Sequence, residues 1–368
     1  MIGRDMKRTP LIIHAGTPKT GTTAAQNALF FETRALESLH LSYPGGASVF
    51  TNPDRLTGNG AATARALSSE AGDRIHPKEG IFRLRHRRLL EEIASLPPEQ
   101  GVVLSSEFFS GFGTRSWQRL FAEFPPDRYD VSVIFYVRNQ VDQVQSALGQ
   151  SVKRGQRVNP DSFFVRATEG KRFLDYDWLL TTLKGHPFKT VVFRAYDRTA
   201  LVGGDIGCDL FATLASLVGA EQKTPVEPGT SDRNPSLSAR SIRMKNFLNR
   251  TKPTVAENDL LLATLKAIDF GDRSRPASYL STAQIAQITP RFEKGNENLV
   301  KMFGESFEVI RHSRTKDLPF LDISGRPPPE EIEVAMTALS AAAVENRNLS
   351  PLVQRAERLV RKVSRAAV

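Results

Sequence analysis

The chain has 368 residues, 40% of them hydrophobic, which is enough apolar material for one large α/β domain or two modest ones. Its net charge of +10 favours an anionic partner (nucleotide, acidic glycan, membrane surface or nucleic acid) without choosing among them. A lone cysteine, Cys208, excludes an internal disulfide and a multi-cysteine zinc site. No apolar run is long enough for a signal peptide or a membrane span, so a soluble, cytoplasmic chain is expected.

Near the start, Leu11-Ile12-Ile13 reads as a buried strand, followed by a turn rich in Gly, Pro and Thr and a helix over 24–30. Strand, glycine loop and helix is a layout that holds phosphate. Backbone N–H groups and the positive helix end converge on one point there. Gly16 and Gly21 stand five apart, as in a Walker A loop, but position 22 is Thr where that pattern requires Lys. The lysine is Lys19, at the loop's apex, from which it can reach the bridging oxygen of a terminal anhydride. The competing reading is a glycine turn that binds nothing.

Helical spacing continues to residue 39, and 43–60 reads as an irregular surface segment rich in Gly, Pro, Asn and Ser. Residues 61–67 form a short helix, and 82–90 a basic helix with solvated arginines and an exposed His86. A second strand, 101–104, ends in Ser105-Ser106-Glu107. A carboxylate at the carboxyl end of a strand in an open α/β sheet lies where ligands bind. A helix over 117–124 precedes a third strand, 131–137, which runs into Arg138. Then come a helix over 142–152, a fourth strand over 190–193 and a helix over 205–218.

Residues 231–299 are mostly helical, punctuated by Pro253, Pro276 and Pro290. Pro327-Pro328-Pro329 marks a break, since prolines cannot continue a helix. Helices over 330–344 and 351–368 follow. The last carries Arg355, Arg358, Arg361, Lys362 and Arg365; it reads as a packed or solvated terminal helix, with peripheral contact to an anionic membrane as the alternative. Strands alternating with helices imply a parallel sheet covered on both faces. The expected class is α/β: a P-loop NTPase-like three-layer fold with a central, mainly parallel sheet and a helical C-terminal part. The expected division is a main domain over 1–325 and a Pro-led, basic helical extension over 326–368.

Pro18-Lys19-Thr20-Gly21-Thr22-Thr23 resembles the 5′-phosphosulfate loop of the PAPS-dependent sulfotransferases, where PAPS is 3′-phosphoadenosine 5′-phosphosulfate. Tyr136-Val137-Arg138, with Ser146 eight residues on, resembles their second signature. The resemblance implies that Pro18 to Thr23 cradle the 5′-phosphate and that Lys19 stabilises the leaving oxygen. Arg138 and Ser146 would grip the 3′-phosphate, and so select PAPS over ATP; a surface arginine and an ordinary helix serine are the plain alternative.

Glu107 resembles the family's glutamate base; the other possibilities are that it caps the next segment or pairs with an arginine. His14 is a rival base, though a core or loop-supporting role suits it better, and His86 is another. Position 140 is Gln where the family commonly has Pro, and its R-K-G nucleotide motif is absent, with Lys294-Gly295 after Arg291 as a loose substitute. Val191 to Arg198, Gly203-Gly204-Asp205-Ile206, Asn234-Pro235-Ser236-Leu237 and Asn296-Glu297-Asn298-Leu299 are similar to later segments of the bacterial branch.

The expected activity is transfer of a sulfuryl group from PAPS to a hydroxyl, or an amine, of a carbohydrate, glycolipid or small hydroxyl compound. No metal and no nucleic acid enter that expectation. Residues 45–60 and 83–88 would wall the acceptor site, and Lys153 and Arg154 would meet an anionic acceptor. The alternatives are a P-loop kinase or NTPase using ATP and Mg²⁺, or a nucleotide- or glycan-binding protein without turnover.

Overall fold

Alternate residues along the apolar strands face opposite ways, and both directions are buried. The computed structural model describes residues 8–45, 58–68, 79–169, 172–222, 224–227, 237–268, 270 and 276–365. Most of the expected acceptor wall at 45–60 and the Asn234-Pro235-Ser236 string lie outside the described residues. The chain divides into two compact units. The first comprises Met1–Asn139, Arg172–Ser231 and Phe292–His312; the second comprises Gln140–Lys171, Asp232–Arg291 and Ser313–Val368.

The first unit is built on five parallel strands: β1 (Thr9–His14), β2 (Leu41–Ser42), β3 (Gly101–Ser105), β4 (Tyr129–Val137) and β5 (Thr190–Ala195), in the order β2-β3-β1-β4-β5. Leu11 of β1 pairs with Val102 on one side and Val131 on the other. Ile12, Val103, Ile134 and Tyr136 pack on one face against Leu29 of α1 (Thr22–Phe31), Leu36 of α2 (Thr33–Ser38) and Leu210 and Leu214 of α9 (Ile206–Val218). On the other face Ile13, Leu104, Val133 and Phe135 meet Leu89 of α4 (Glu79–Ala94), Trp117 of α5 (Thr114–Glu123) and Leu179 of α8 (Tyr176–Leu183). Leu299, from α12 (Thr282–Phe303), joins that cluster. A sheet covered on both faces needs near-continuous apolar strands, which is how β1, β3 and β4 read. Each leucine fully buried in this way contributes roughly 1.5–3 kcal/mol. The expected α/β class and the two helical layers are therefore present.

Several boundaries differ from expectation for local reasons. β2 is two residues long, too short to show alternation in sequence. The helix expected to run to residue 39 is interrupted at Glu32, whose φ of −91° and ψ of 50° leave the helical region. Pro290 lies inside α12 instead of ending a helix, so it removes one backbone hydrogen bond without breaking the element.

Beneath the α9 face lies a buried polar cluster. Asp209, fully buried, accepts from the Tyr136 hydroxyl at 2.7 Å, from Arg194 Nε at 3.0 Å and, through its other oxygen, from a second guanidinium nitrogen of Arg194. It also accepts from Val202 N at 3.0 Å. The hydrogen bond to Asp209 raises the Arg194 pKa, while burial and the Asp209 charge raise that of Tyr136.

The second unit is helical. It contains α6 (Gln140–Lys153), α7 (Pro160–Glu169), α10 (Ala239–Leu248), α11 (Val255–Ala267), α13 (Pro329–Glu345) and α14 (Ser350–Arg365). A capping box, with Thr254 and Glu257 each satisfying the other's backbone N–H, starts α11. Pro329 stands in the first turn of α13, where its missing N–H costs nothing. α14 packs through Leu352, Val353 and Ala356, and Arg355 forms a 2.7 Å ion pair with Glu257.

Lys245 of α10 is fully buried; its ammonium donates to Asn258 Oδ1 at 2.8 Å and to Asn249 Oδ1, two neutral acceptors. Burial lowers its pKa from 10.5 to about 7. Between those two values the unfolded chain holds a proton that the folded chain has released, so stability rises as pH increases from about 7 towards 10.5 and is flat below. Thermal melts of Lys245→Met between pH 7 and 10 should show a shallower pH slope than the parent chain. An unchanged slope would contradict this account.

Candidate functional site

From β1 the chain first builds β2 and β3 on one side, then β4 and β5 on the other. The sheet therefore reverses its winding beside β1, and in such sheets ligands bind at the carboxyl ends of the strands at that point. The segment from Ala15 to Gly21 leaves β1 there and enters α1. Gly16, Lys19 and Gly21 all have positive φ, at 54°, 70° and 73°. Lys19 is the unusual one, since a side chain in the left-handed region costs roughly 1–2 kcal/mol. Hydrogen bonds hold it in place. Thr20 Oγ1 donates to Thr17 O at 2.6 Å and accepts from Thr17 N at 3.2 Å, and Thr17 Oγ1 donates to Tyr136 O at 2.9 Å.

Both threonines are fully buried, and the Thr20 hydroxyl is spent inside the loop. Gly21 is the N-cap of α1, and no side chain caps the helix. The first-turn N–H groups of Thr22 and Thr23 are thus left for another acceptor. A Cβ on Gly21 would stand 2.8 Å from the Tyr196 ring, so the tyrosine packs directly on the loop.

Arg138, just past β4, is held by Tyr176, whose hydroxyl accepts from Arg138 N at 3.0 Å and donates to Arg138 O. Its guanidinium donates to the Lys19 carbonyl at 3.4 Å and lies 5.8 Å from the centre of the Tyr196 ring. Among the described residues no carboxylate pairs with it. Pro18, Lys19, Gly21 and Arg138 are all half-buried, and Thr23 is exposed.

Glu107 opens a short 3₁₀ turn, Glu107–Gly111, whose N-cap is Ser106, its hydroxyl accepting from Phe108 N at 3.2 Å. Glu107 is therefore not the cap, and its half-buried carboxylate has no partner among the described residues. Its Cα lies 3.9 Å from where a Cβ on Gly16 would stand, which sets it beside the loop.

The histidines divide clearly. His14 is fully buried, with Nδ1 2.8 Å from Ser105 Oγ and its ring edge-on to Tyr136. Burial lowers its pKa to about 4, so it is neutral near pH 7 and supports the start of the loop. His86, expected to be exposed, is buried with Nδ1 3.1 Å from Thr63 Oγ1. The α4 arginines at 83, 85, 87 and 88 are exposed around it; the basic stretch is amphipathic, and His86 falls on its inner face.

Ser146 lies on α6, in the second unit, whereas the loop, Glu107 and Arg138 belong to the first. Lys294-Gly295 sits within α12. Thr17, Tyr176 and Tyr196 were not legible as site residues. For Tyr196 a signal exists: it follows β5 at the same end of the sheet as Glu107 and Arg138. No protein-family model matches the chain, and neither does a curated protein or a solved structure.

Proposed function

We propose that this chain is a PAPS-dependent sulfotransferase of the P-loop type, passing a sulfuryl group to a hydroxyl of a carbohydrate, glycolipid or small acceptor. The observation that carries the reading is Arg138: a guanidinium without an acidic partner among the described residues, donating to the carbonyl of Lys19. The loop's lysine and the strand-end arginine, 119 positions apart in sequence, are thus neighbours, which supports a ligand with phosphates at two ends. The uncapped start of α1 fits one of those phosphates.

PAPS supplies the activated sulfuryl group. Lys19 presents its ammonium where negative charge grows on the leaving oxygen. The backbone N–H groups of Thr20, Gly21, Thr22 and Thr23 hold the 5′-phosphate. Arg138 offers a forked donor to the 3′-phosphate. Glu107 removes the proton from the attacking hydroxyl.

Calorimetric titration with adenosine 3′,5′-bisphosphate, and separately with ATP plus Mg²⁺, tests the assignment. The bisphosphate should bind without metal and more tightly than ATP. Arg138→Ala should weaken it by about 10- to 100-fold, the worth of a charge-assisted hydrogen bond to phosphate. Tighter binding of ATP with Mg²⁺ would replace this reading with a kinase or NTPase. Binding of neither would remove the nucleotide from the account.

A further inference from the structure

The chain's positive charge is not shared evenly between the units. The second holds 24 Lys and Arg against 15 Asp and Glu, so +9 of the net +10 resides there. Within that unit two cavities, of about 400 and 770 Å³, both have Arg157 and Arg250 in their walls and so lie side by side. Arg166 lines the first cavity, and Lys252 and Lys362 line the second. All five cations are exposed, and among the described residues no carboxylate pairs with any of them or lines either cavity. Like charges gathered along one groove repel each other unless an anion lies between them.

We propose that this groove binds an acidic polysaccharide, a chain carrying sulfate or carboxylate groups along a hydroxylated backbone. Five cations spread over two adjoining cavities exceed what a single small anion can engage, and they match a ligand with charges repeated along its length. Asn159, Ser162 and Ser324 add hydroxyl and amide groups suited to sugar hydroxyls. Single-stranded nucleic acid would need exposed aromatic faces for its bases to stack on, and the groove's aromatic residue, Phe247, is buried. A membrane surface would call for a convex face with apolar side chains to insert; this site is concave, and Leu359 at its edge is only partly exposed. The groove lies wholly in the second unit, so the inference stands apart from the nucleotide reading.

The test measures binding of the full chain to dextran sulfate, to uncharged dextran of the same length and to polygalacturonate. Single-stranded DNA and phosphatidylglycerol vesicles serve as competing polyanions. Either acidic polysaccharide should bind more tightly than DNA or vesicles, and dextran should not bind. Arg157→Gln and Arg250→Gln should each weaken binding about tenfold, the loss of one charge-assisted contact. Arg347→Gln, at an exposed arginine outside the groove, should leave it within about twofold by the same measure. An equal loss in Arg347→Gln would mean diffuse charge and overturn the proposal, as would preference for DNA or vesicles. The melting temperature of each variant confirms that it is folded, and Lys362→Gln replaces either arginine variant that is not.

Discussion

Replacing Lys19 by Met should slow conversion of PAPS to adenosine 3′,5′-bisphosphate by about 10²–10³-fold, the usual cost of losing one preorganised group at a developing charge. The bisphosphate's affinity should change far less, because that ligand lacks the bridging oxygen the ammonium serves. The backbone supplies a control. Lys19 has a φ of 70°, so Met bears the same conformational penalty and the variant isolates the charge. Lys19→Gly relieves the penalty and should raise the melting temperature while being equally slow. A Met variant that keeps the parent rate would take Lys19 out of the chemistry and leave the loop as a binding element alone.

Asp209→Ala should destabilise the first unit by about 3–5 kcal/mol, the cost of stripping one partner from a buried ion pair. Three donors depend on this carboxylate: the Tyr136 hydroxyl, the Arg194 guanidinium and Val202 N. Removing it leaves a partly buried guanidinium and a buried hydroxyl unsatisfied. Tyr136 also accepts from Thr17 through its carbonyl, so the loss reaches the loop as well as the core. Chemical denaturation of Asp209→Ala and of Tyr136→Phe separates the contributions. The second variant removes one neutral donor to that carboxylate and should cost about 1.5–3 kcal/mol. Equal costs for the two would show that the Arg194 pair contributes nothing.

The strands β1, β3 and β4 were legible because burial on both faces requires unbroken apolar runs, and runs such as Leu11-Ile12-Ile13 have no other use in a chain of this polarity. The loop was legible because positive φ at Gly16 and Gly21 demands glycine there, so backbone geometry is written into residue type. Arg138 was found by a signature that resembles the sulfotransferase family's, and Glu107 by its position at the carboxyl end of a strand. Tyr196 obeys the same rule, but an aromatic residue after a strand looks like any core residue until its neighbours are known.

What the sequence determined by itself is local: strand faces, the glycine loop, helix caps such as Thr254 with Glu257, and a total charge of +10. These rest on residues close together along the chain, where spacing is distance. Tertiary structure alone decided the rest. It committed the Thr20 hydroxyl to Thr17, turned His86 inward, and brought Arg138 to the carbonyl of Lys19. It also assigned nearly all the net charge to one unit and lined a groove with arginines from separate helices and turns. Those facts depend on contacts between residues far apart in sequence, and neither periodicity nor residue type encodes which of them will meet.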